Sequence, residues 1–274
     1  MQKRFAGKTA VVTGGGSGLG QDMALSFGRE GAHVCVIGRR QEKLDETVGL
    51  IEKEGGKAFG ISADVRDAAR VEAVMKEILD KTGRLDVLVN NAAGNFVCPS
   101  EELSPNGFKS VVDIVLLGTF YCTRYAFEGL RANKGSIVNI IAAYAWSGEP
   151  GAVHSACAKA GVLAMTRTLA AEWGQFGIRA NAISPGPVHT EGTDKNLWSV
   201  ANIDEKVNAS IPLGRIGQPA DISNAALWLC SDDASWISGA TLAVDGAQWL
   251  HGGTLNFREY YDSVRAMMTG SKPG

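Results

Sequence analysis

Short runs that are apolar almost without interruption alternate along this chain with longer stretches in which apolar positions recur every three to four residues. The short runs are Lys8–Thr13, His33–Ile37, Ala58–Ala63, Leu85–Val89, Ser136–Ile141, Ile178–Ile183 and Thr241–Val244. A strand apolar on both faces is one covered on both sides, as in a parallel sheet; a half-exposed strand alternates. The helical period appears after the first run to about Gly31, then in Gln41–Glu54, Asp67–Thr82, Phe108–Ala132 (with a kink), Ser155–Glu172 and Pro219–Leu229. Ser104-Pro105-Asn106 opens a helix, with Pro where its missing N–H costs nothing. The pattern predicts one doubly wound α/β domain over 1–274, with a parallel sheet of about seven strands. An insert over about 191–212 breaks the alternation and reads as a helical, lid-like segment. The tail, about 247–274, has no strong pattern, and its Trp249, Tyr260 and Tyr261 are expected to pack on a neighbouring subunit.

In such a sheet ligands sit outside the carboxyl ends of the strands, so the residues closing each run are the ones to read for chemistry. The first run closes in Thr13-Gly14-Gly15-Gly16-Ser17-Gly18-Leu19-Gly20. Glycines let backbone approach a ligand, and the following helix start offers unpaired N–H groups to a pyrophosphate. The second closes in Gly38-Arg39-Arg40, where an NAD enzyme usually carries an acid for the ribose 2′-hydroxyl. A guanidinium fork suits a 2′-phosphate, so NADP(H) is the expected cofactor; the bland alternative is two arginines solvating a loop. The third closes in Asp64-Val65-Arg66, an acceptor for an adenine amino group beside an arginine facing the same crevice. The fourth breaks into Asn90-Asn91-Ala92-Ala93-Gly94-Asn95-Phe96, small residues on which a cofactor can lie, with the Asn95 amide as a donor. The sixth ends in the rigid turn Pro185-Gly186-Pro187-Val188-His189-Thr190. After the fifth, Tyr144 is expected in the loop leaving the strand, eleven residues before Ser155. Ser155 and Lys159, four apart, share one helix face. A phenol, a hydroxyl and an ammonium then converge on one site; the alternative is a surface tyrosine and a solvated lysine.

Composition narrows the partners. The 274 residues are 45% hydrophobic and 20% charged, and 27 basic against 29 acidic residues leave a net charge of −2. That balance argues against nucleic acid or a membrane surface as a partner. The five cysteines (Cys35, Cys98, Cys122, Cys157, Cys230) are scattered without a Cys-x-x-Cys pair, as in a cytoplasmic protein with reduced thiols. His33, His154, His189 and His251 lack metal-ligand spacing, so no metal is expected. No apolar run reaches the length of a membrane span, and Met1–Lys8 lacks the apolar centre of a secretory signal.

Thr13–Gly20, Asn90–Gly94, Lys159 and Pro185-Gly186, in this order, resemble the short-chain dehydrogenase/reductase superfamily over nearly the whole chain. The resemblance implies a Rossmann-type, NAD(P)-binding fold and usually a homotetramer. The family's usual catalytic set is Asn, Ser, Tyr and Lys, with Tyr four residues before Lys. Here that tyrosine position is Ser155, the serine position is Ala142, and the asparagine position falls near Val115; only Lys159 survives. The departures look like the 2,4-dienoyl-CoA reductase branch. It is similar in Asn90–Phe96, in Tyr144 fifteen before Lys159, in Ser155-Ala-x-Ala-Lys, in Ala171-Glu172-Trp173-Gly174 and in Pro185-Gly186-Pro187.

Carried over, this resemblance makes Tyr144 the catalytic tyrosine, Asn95 its hydrogen-bonding partner at a thioester, and Ser155 a supporting hydroxyl. Lys159 would hold the nicotinamide ribose and Arg39 the 2′-phosphate. The cofactor-binding set is Gly14, Ser17, Gly18, Leu19, Gly20, Arg39, Arg40, Asp64, Val65, Asn91, Ala92, Lys159, Pro185, Gly186 and Val188. Phe96, Arg66 and Ser104 would line the acyl-CoA side. A dienoyl thioester receives hydride at the far end of the conjugated chain, so charge collects on the thioester oxygen and donors are needed there. Lys159 is expected to favour the ionised phenol. The expected activity is therefore NADPH-dependent reduction of 2,4-dienoyl-CoA. The alternatives are another NADPH-dependent reductase acting on a ketone or enoyl substrate, or a nucleotide-binding subunit without catalysis.

Overall fold

The computed structural model describes residues 3–190 and 203–251. Its sheet contains β1 (Thr9–Thr13), β2 (His33–Gly38), β3 (Lys57–Ser62), β4 (Val87–Asn90), β5 (Ser136–Ile140), β6 (Arg179–Pro185) and β7 (Thr241–Val244). The order is β3-β2-β1-β4-β5-β6-β7, and every neighbouring pair is parallel. Strand limits differ from the sequence reading by a residue or two at most, as helix and strand ends do. The chain runs outward from β1 to β3 and then returns to β4 on the other side. The crevice at that reversal, between the ends of β1 and β4, is where the sheet can admit a ligand.

Each face of the sheet is covered. On one side α1 (Gly18–Arg29), α2 (Gln41–Lys53) and α9 (Pro219–Cys230) bury Met23, Phe27, Leu44, Ile51, Ile222 and Leu229 against the strands. On the other, α3 (Ala68–Thr82) and α5 (Gly118–Asn133) bury Val71, Met75, Ile78 and Leu130. Each large side chain so buried contributes about 1.5–3 kcal/mol. Asp67 caps α3 by accepting from the Arg70 N–H at 3.0 Å, and Gly83 ends it in the left-handed conformation.

Between β4 and α5 the expected kink is a change of helix type. α4 (Pro105–Val112) passes into a π-helical turn, Asp113–Leu117, and then into α5. Val111 and Val115 from this stretch pack with Val162 and Leu163 of α7 (Val153–Trp173) in a third apolar cluster. A one-turn helix, α6 (Tyr144–Ser147), precedes α7 and carries Tyr144, which the sequence reading had placed in a loop. Of the insert expected over about 191–212, positions 191–202 lie outside the described residues, and Ile203–Ser210 form α8. Tyr260 and Tyr261 also lie outside them. Trp249 lies on Trp146 of its own chain, ring centroids 5.5 Å apart, and keeps an exposed face. Among the described residues no helix is long and apolar enough to cross a membrane.

Candidate active site and cofactor crevice

The glycine loop forms the floor of the crevice. Gly14 has φ +65°, and a Cβ on Gly20 would lie 2.2 Å from the Gly14 carbonyl oxygen, so no side chain fits there. Thr13 ties this loop to the end of β4. Its hydroxyl accepts from the N–H groups of Asn91 and Ala92, both at 3.0 Å, and its carbonyl accepts from the Asn91 amide at 3.1 Å. A cavity of about 270 Å³ runs over this floor, lined by Gly14, Ser17, Arg39, Arg40, Asp64, Val65, Asn91 and Ala92 among others. Lys43 lines it as well, one helical turn beyond Arg39 and Arg40 on α2. The motif pattern does not single it out, although a third cation at that spacing was there to be read. Among the described residues neither Arg39 nor Arg40 has a hydrogen bond or ion pair from its guanidinium, so both can take an anion.

Arg66 is paired with its neighbour at the end of β3. Its guanidinium is spent on Asp64, with Nε at 3.0 Å from both carboxylate oxygens and Nη2 at 2.6 Å from one. The Arg66 hydrogen bond holds the Asp64 carboxyl below the usual range and outweighs its burial. Asp64 therefore meets the crevice with its oxygens already engaged, and Arg66 does not line the cavity that contains Tyr144. Phe96 and Ser104 do not line the Tyr144 cavity, although Asn95 and Val97 beside Phe96 do. The Phe96 ring lies against His154, centroids 4.5 Å apart, and the Ser104 hydroxyl caps α4 by accepting from the Gly107 N–H at 3.1 Å. His154 is fully buried, and neither ring nitrogen has a partner among the described residues. Nothing in its sequence context marks that burial.

A second cavity, about 540 Å³, opens beside the first and is lined by Leu19, Asn91, Asn95, Val97, Tyr144, Glu149, Gly186, Pro187, Val188 and other residues. Asn91 borders both, so a ligand lying along the β-strand ends can reach from Arg39 to Tyr144. Of the three groups expected to converge, two meet here and Lys159 lines neither cavity. The Tyr144 hydroxyl and the Ser155 Oγ are 3.1 Å apart, and Ser155 is fully buried. One turn further along α7, the buried Lys159 ammonium donates to the Ile140 carbonyl at 2.5 Å. Burial pulls the Lys159 pKa down to about 8. The Tyr144 phenol is raised, first by burial and also by Glu149, while the Ser155 hydrogen bond opposes the rise. Lys159 makes no hydrogen bond to Tyr144; its ammonium is held by the Ile140 carbonyl. Burial thus favours the protonated phenol, a neutral donor.

Among the described residues no group of His, Cys, Asp and Glu side chains is placed to hold a metal ion. What the site offers is a crevice with a glycine cradle and two unpaired guanidiniums, leading to a cavity with the neutral donors Tyr144 and Asn95. That donor set fits a nicotinamide dinucleotide.

Comparison with known proteins agrees with this chemistry. A probable 2,4-dienoyl-CoA reductase of Bacillus subtilis (strain 168), named as (2E)-enoyl-CoA-producing, is 46% identical over 244 residues, 88% of this chain and 96% of that protein. A peroxisomal 2,4-dienoyl-CoA reductase of Arabidopsis thaliana, named as (3E)-enoyl-CoA-producing, is 40% identical over 251 residues, covering 88% of this chain and 84% of that protein. A crystal structure of a short chain dehydrogenase from Bacillus anthracis superposes with a TM-score of 0.81 at 46% identity, over 90% of this chain and 98% of that one. The sequence model of the family described as enoyl-(acyl carrier protein) reductase matches residues 14–247. With that match, the parallel sheet and the dinucleotide crevice, the chain belongs to the short-chain dehydrogenase/reductase family of nicotinamide-dependent oxidoreductases.

Proposed function

We propose that this oxidoreductase reduces 2,4-dienoyl-CoA thioesters with NADPH. The observation that carries the reading is the displaced donor: Tyr144 reaches Ser155, which stands at the family's usual tyrosine position, across 3.1 Å. A ketone reductase needs an acid beside the carbon that takes hydride. A conjugated thioester needs donors several bonds away, at the oxygen where charge collects. Tyr144 and Asn95 border one cavity and can both donate there, Tyr144 as a neutral phenol and Asn95 through its amide. Ser155 fixes the phenol's direction, and Lys159 adds positive charge near the cofactor ribose. Arg39, and Arg40 beside it, would hold the 2′-phosphate. When bound, the dinucleotide supplies the hydride to the far end of the diene. The α-carbon then takes a proton from Tyr144 or from water in the cavity, which gives the 3-enoyl product.

NADPH oxidation measured with a dienoyl-CoA beside simple ketones and enoyl substrates tests the reading. Turnover of the dienoyl-CoA alone is the expected result. Turnover of ketones alone makes the chain another reductase of its family, and no turnover with intact NADPH binding makes it a non-catalytic subunit. We also place the enzyme in the cytoplasm as a homotetramer. Buried thiols support the first: burial raises Cys122 to about 12 and Cys230 to about 11, values suited to reduced, unreactive side chains. Exposed Phe108, Leu117 and Phe120 along α4, the π-helical turn and α5 support the second.

A further inference from the structure

Tyr144 stands on α6, a helix of four residues whose N-cap, Ala143, offers no side-chain hydrogen bond. One helical turn has no stability of its own, because nucleation costs more than a single turn returns. Its position must come from tertiary contacts, and two of its side chains make them. Tyr144 reaches Ser155 on α7. Trp146 meets Trp249 edge to face, with an interplanar angle of 86°.

Trp249 is itself built in. Asp245, the residue after β7, accepts from the N–H of Ala247 at 2.9 Å and from that of Trp249 at 2.9 Å. The chain between them passes through Gly246 at φ +64° and Ala247 at φ +70°. A non-glycine residue in that region persists only where its surroundings over-determine it. They do so here by close packing. A Cβ on Gly186 would lie 2.6 Å from the Asp245 Cβ, and one on Gly246 would lie 2.6 Å from Ile211. The turn after β7 is therefore seated against the Gly186 loop, which lines the Tyr144 cavity, and it delivers the Trp249 ring to α6.

We propose that Trp249 is a positioning residue. By resting on Trp146 it holds the one-turn helix so that the Tyr144 hydroxyl stays on Ser155 and points at the substrate oxygen. This rests on the reading of Tyr144 as the donor at that oxygen. It assigns the segment after β7 to the active site of its own chain.

The test is a double-mutant cycle read as dienoyl-CoA reduction. Aromatic pairs of this geometry predict a fall in kcat of about three- to tenfold for Trp249→Ala and for Trp146→Ala, with the Kd for NADPH unchanged. The double variant should be no worse than either single one, and Trp249→Phe should recover most of the loss. Unchanged kcat, losses that multiply in the double variant, or equal damage from Trp249→Phe would each overturn the proposal. Should Trp249→Ala not fold, Trp249→Leu keeps apolar bulk without the ring and carries the same expectations. If the parent enzyme does not reduce dienoyl-CoA, the functional reading fails separately, and the positioning claim is read from the phenol instead. An ultraviolet titration of each protein against its Tyr144→Phe counterpart isolates that group. Loosening α6 admits water, so Trp249→Ala should lower the titration midpoint of Tyr144; an unmoved midpoint overturns the inference.

Discussion

A single hydroxyl separates the roles of the two residues that meet at 3.1 Å. Tyr144→Phe keeps the ring and deletes the donor. Loss of one oxyanion donor typically lowers kcat by about 10²–10³, or roughly 2.7–4 kcal/mol. Ser155→Ala removes only the group that aims the phenol and should cost less. NADPH binding should survive both, since neither residue lines the phosphate end of the crevice. Steady-state kinetics with a dienoyl-CoA decide the matter: a dead Ser155→Ala beside an active Tyr144→Phe reverses the two roles. Arg39 makes a second claim at this scale. Its unpaired guanidinium can form a charge-assisted fork with a 2′-phosphate, worth about 1.5–3 kcal/mol or roughly ten- to a hundredfold in affinity. Arg39→Ala should weaken NADPH by that factor and leave NADH nearly unchanged; calorimetric titration of both cofactors checks it, and equal losses make Arg39 merely structural.

At the scale of elements, the glycine loop and α7 each carry a measurable strain. Gly20 opens the first turn of α1 directly on the Gly14 carbonyl. Gly20→Ala cannot be absorbed by a flexible neighbour, because the obstacle is backbone. It should cost about 1–3 kcal/mol of stability and most of the cofactor affinity, as melting and NADPH titration would show. On α7, burial sets the Lys159 pKa near 8 in the folded state against 10.5 ordinarily. The unfolded chain then binds more protons between those values, so stability rises with pH across about 8 to 10.5. Below 8 both states are charged and the cost of burying the ammonium is present in full. Denaturant melts of the parent and of Lys159→Met, from pH 7 to 10, should show the difference between them shifting in the parent's favour by roughly 3 kcal/mol at most. A flat difference would mean that the ammonium is better solvated than its burial implies.

For the whole molecule the open quantity is assembly. The aromatic and aliphatic side chains exposed along α4, the π-helical turn and α5 form a surface that water solvates poorly. A homotetramer is the expected state, and light scattering at micromolar protein should return about four times 28.9 kDa. A monomeric mass would remove the tetramer and leave the Trp146–Trp249 contact untouched, because both rings belong to one chain.

The alternation of strands and helices was legible in the order of residues because a strand covered on both faces is apolar throughout. That signal is local to each run, and β7, Thr241–Val244, falls where its run predicts. The glycine loop and Gly38-Arg39-Arg40 were legible for the same reason, since backbone freedom and charge are properties of the residues themselves. The Tyr144–Ser155 pairing was half legible: helical spacing set Ser155 and Lys159 on one face, and family resemblance brought Tyr144 to them. What lay beyond the sequence is how side chains distant along the chain divide their partners. Arg66 and Ser104 are polar groups that any crevice would accept, yet each also finds an acceptor or donor in its own turn, Asp64 for the one and the Gly107 N–H for the other. The contact of Trp249 with Trp146 had no sequence signal, because it depends on the turn held by Asp245. Periodicity reports which face of an element is buried. Only the packed structure decides against what, because that choice depends on the simultaneous position of every other element.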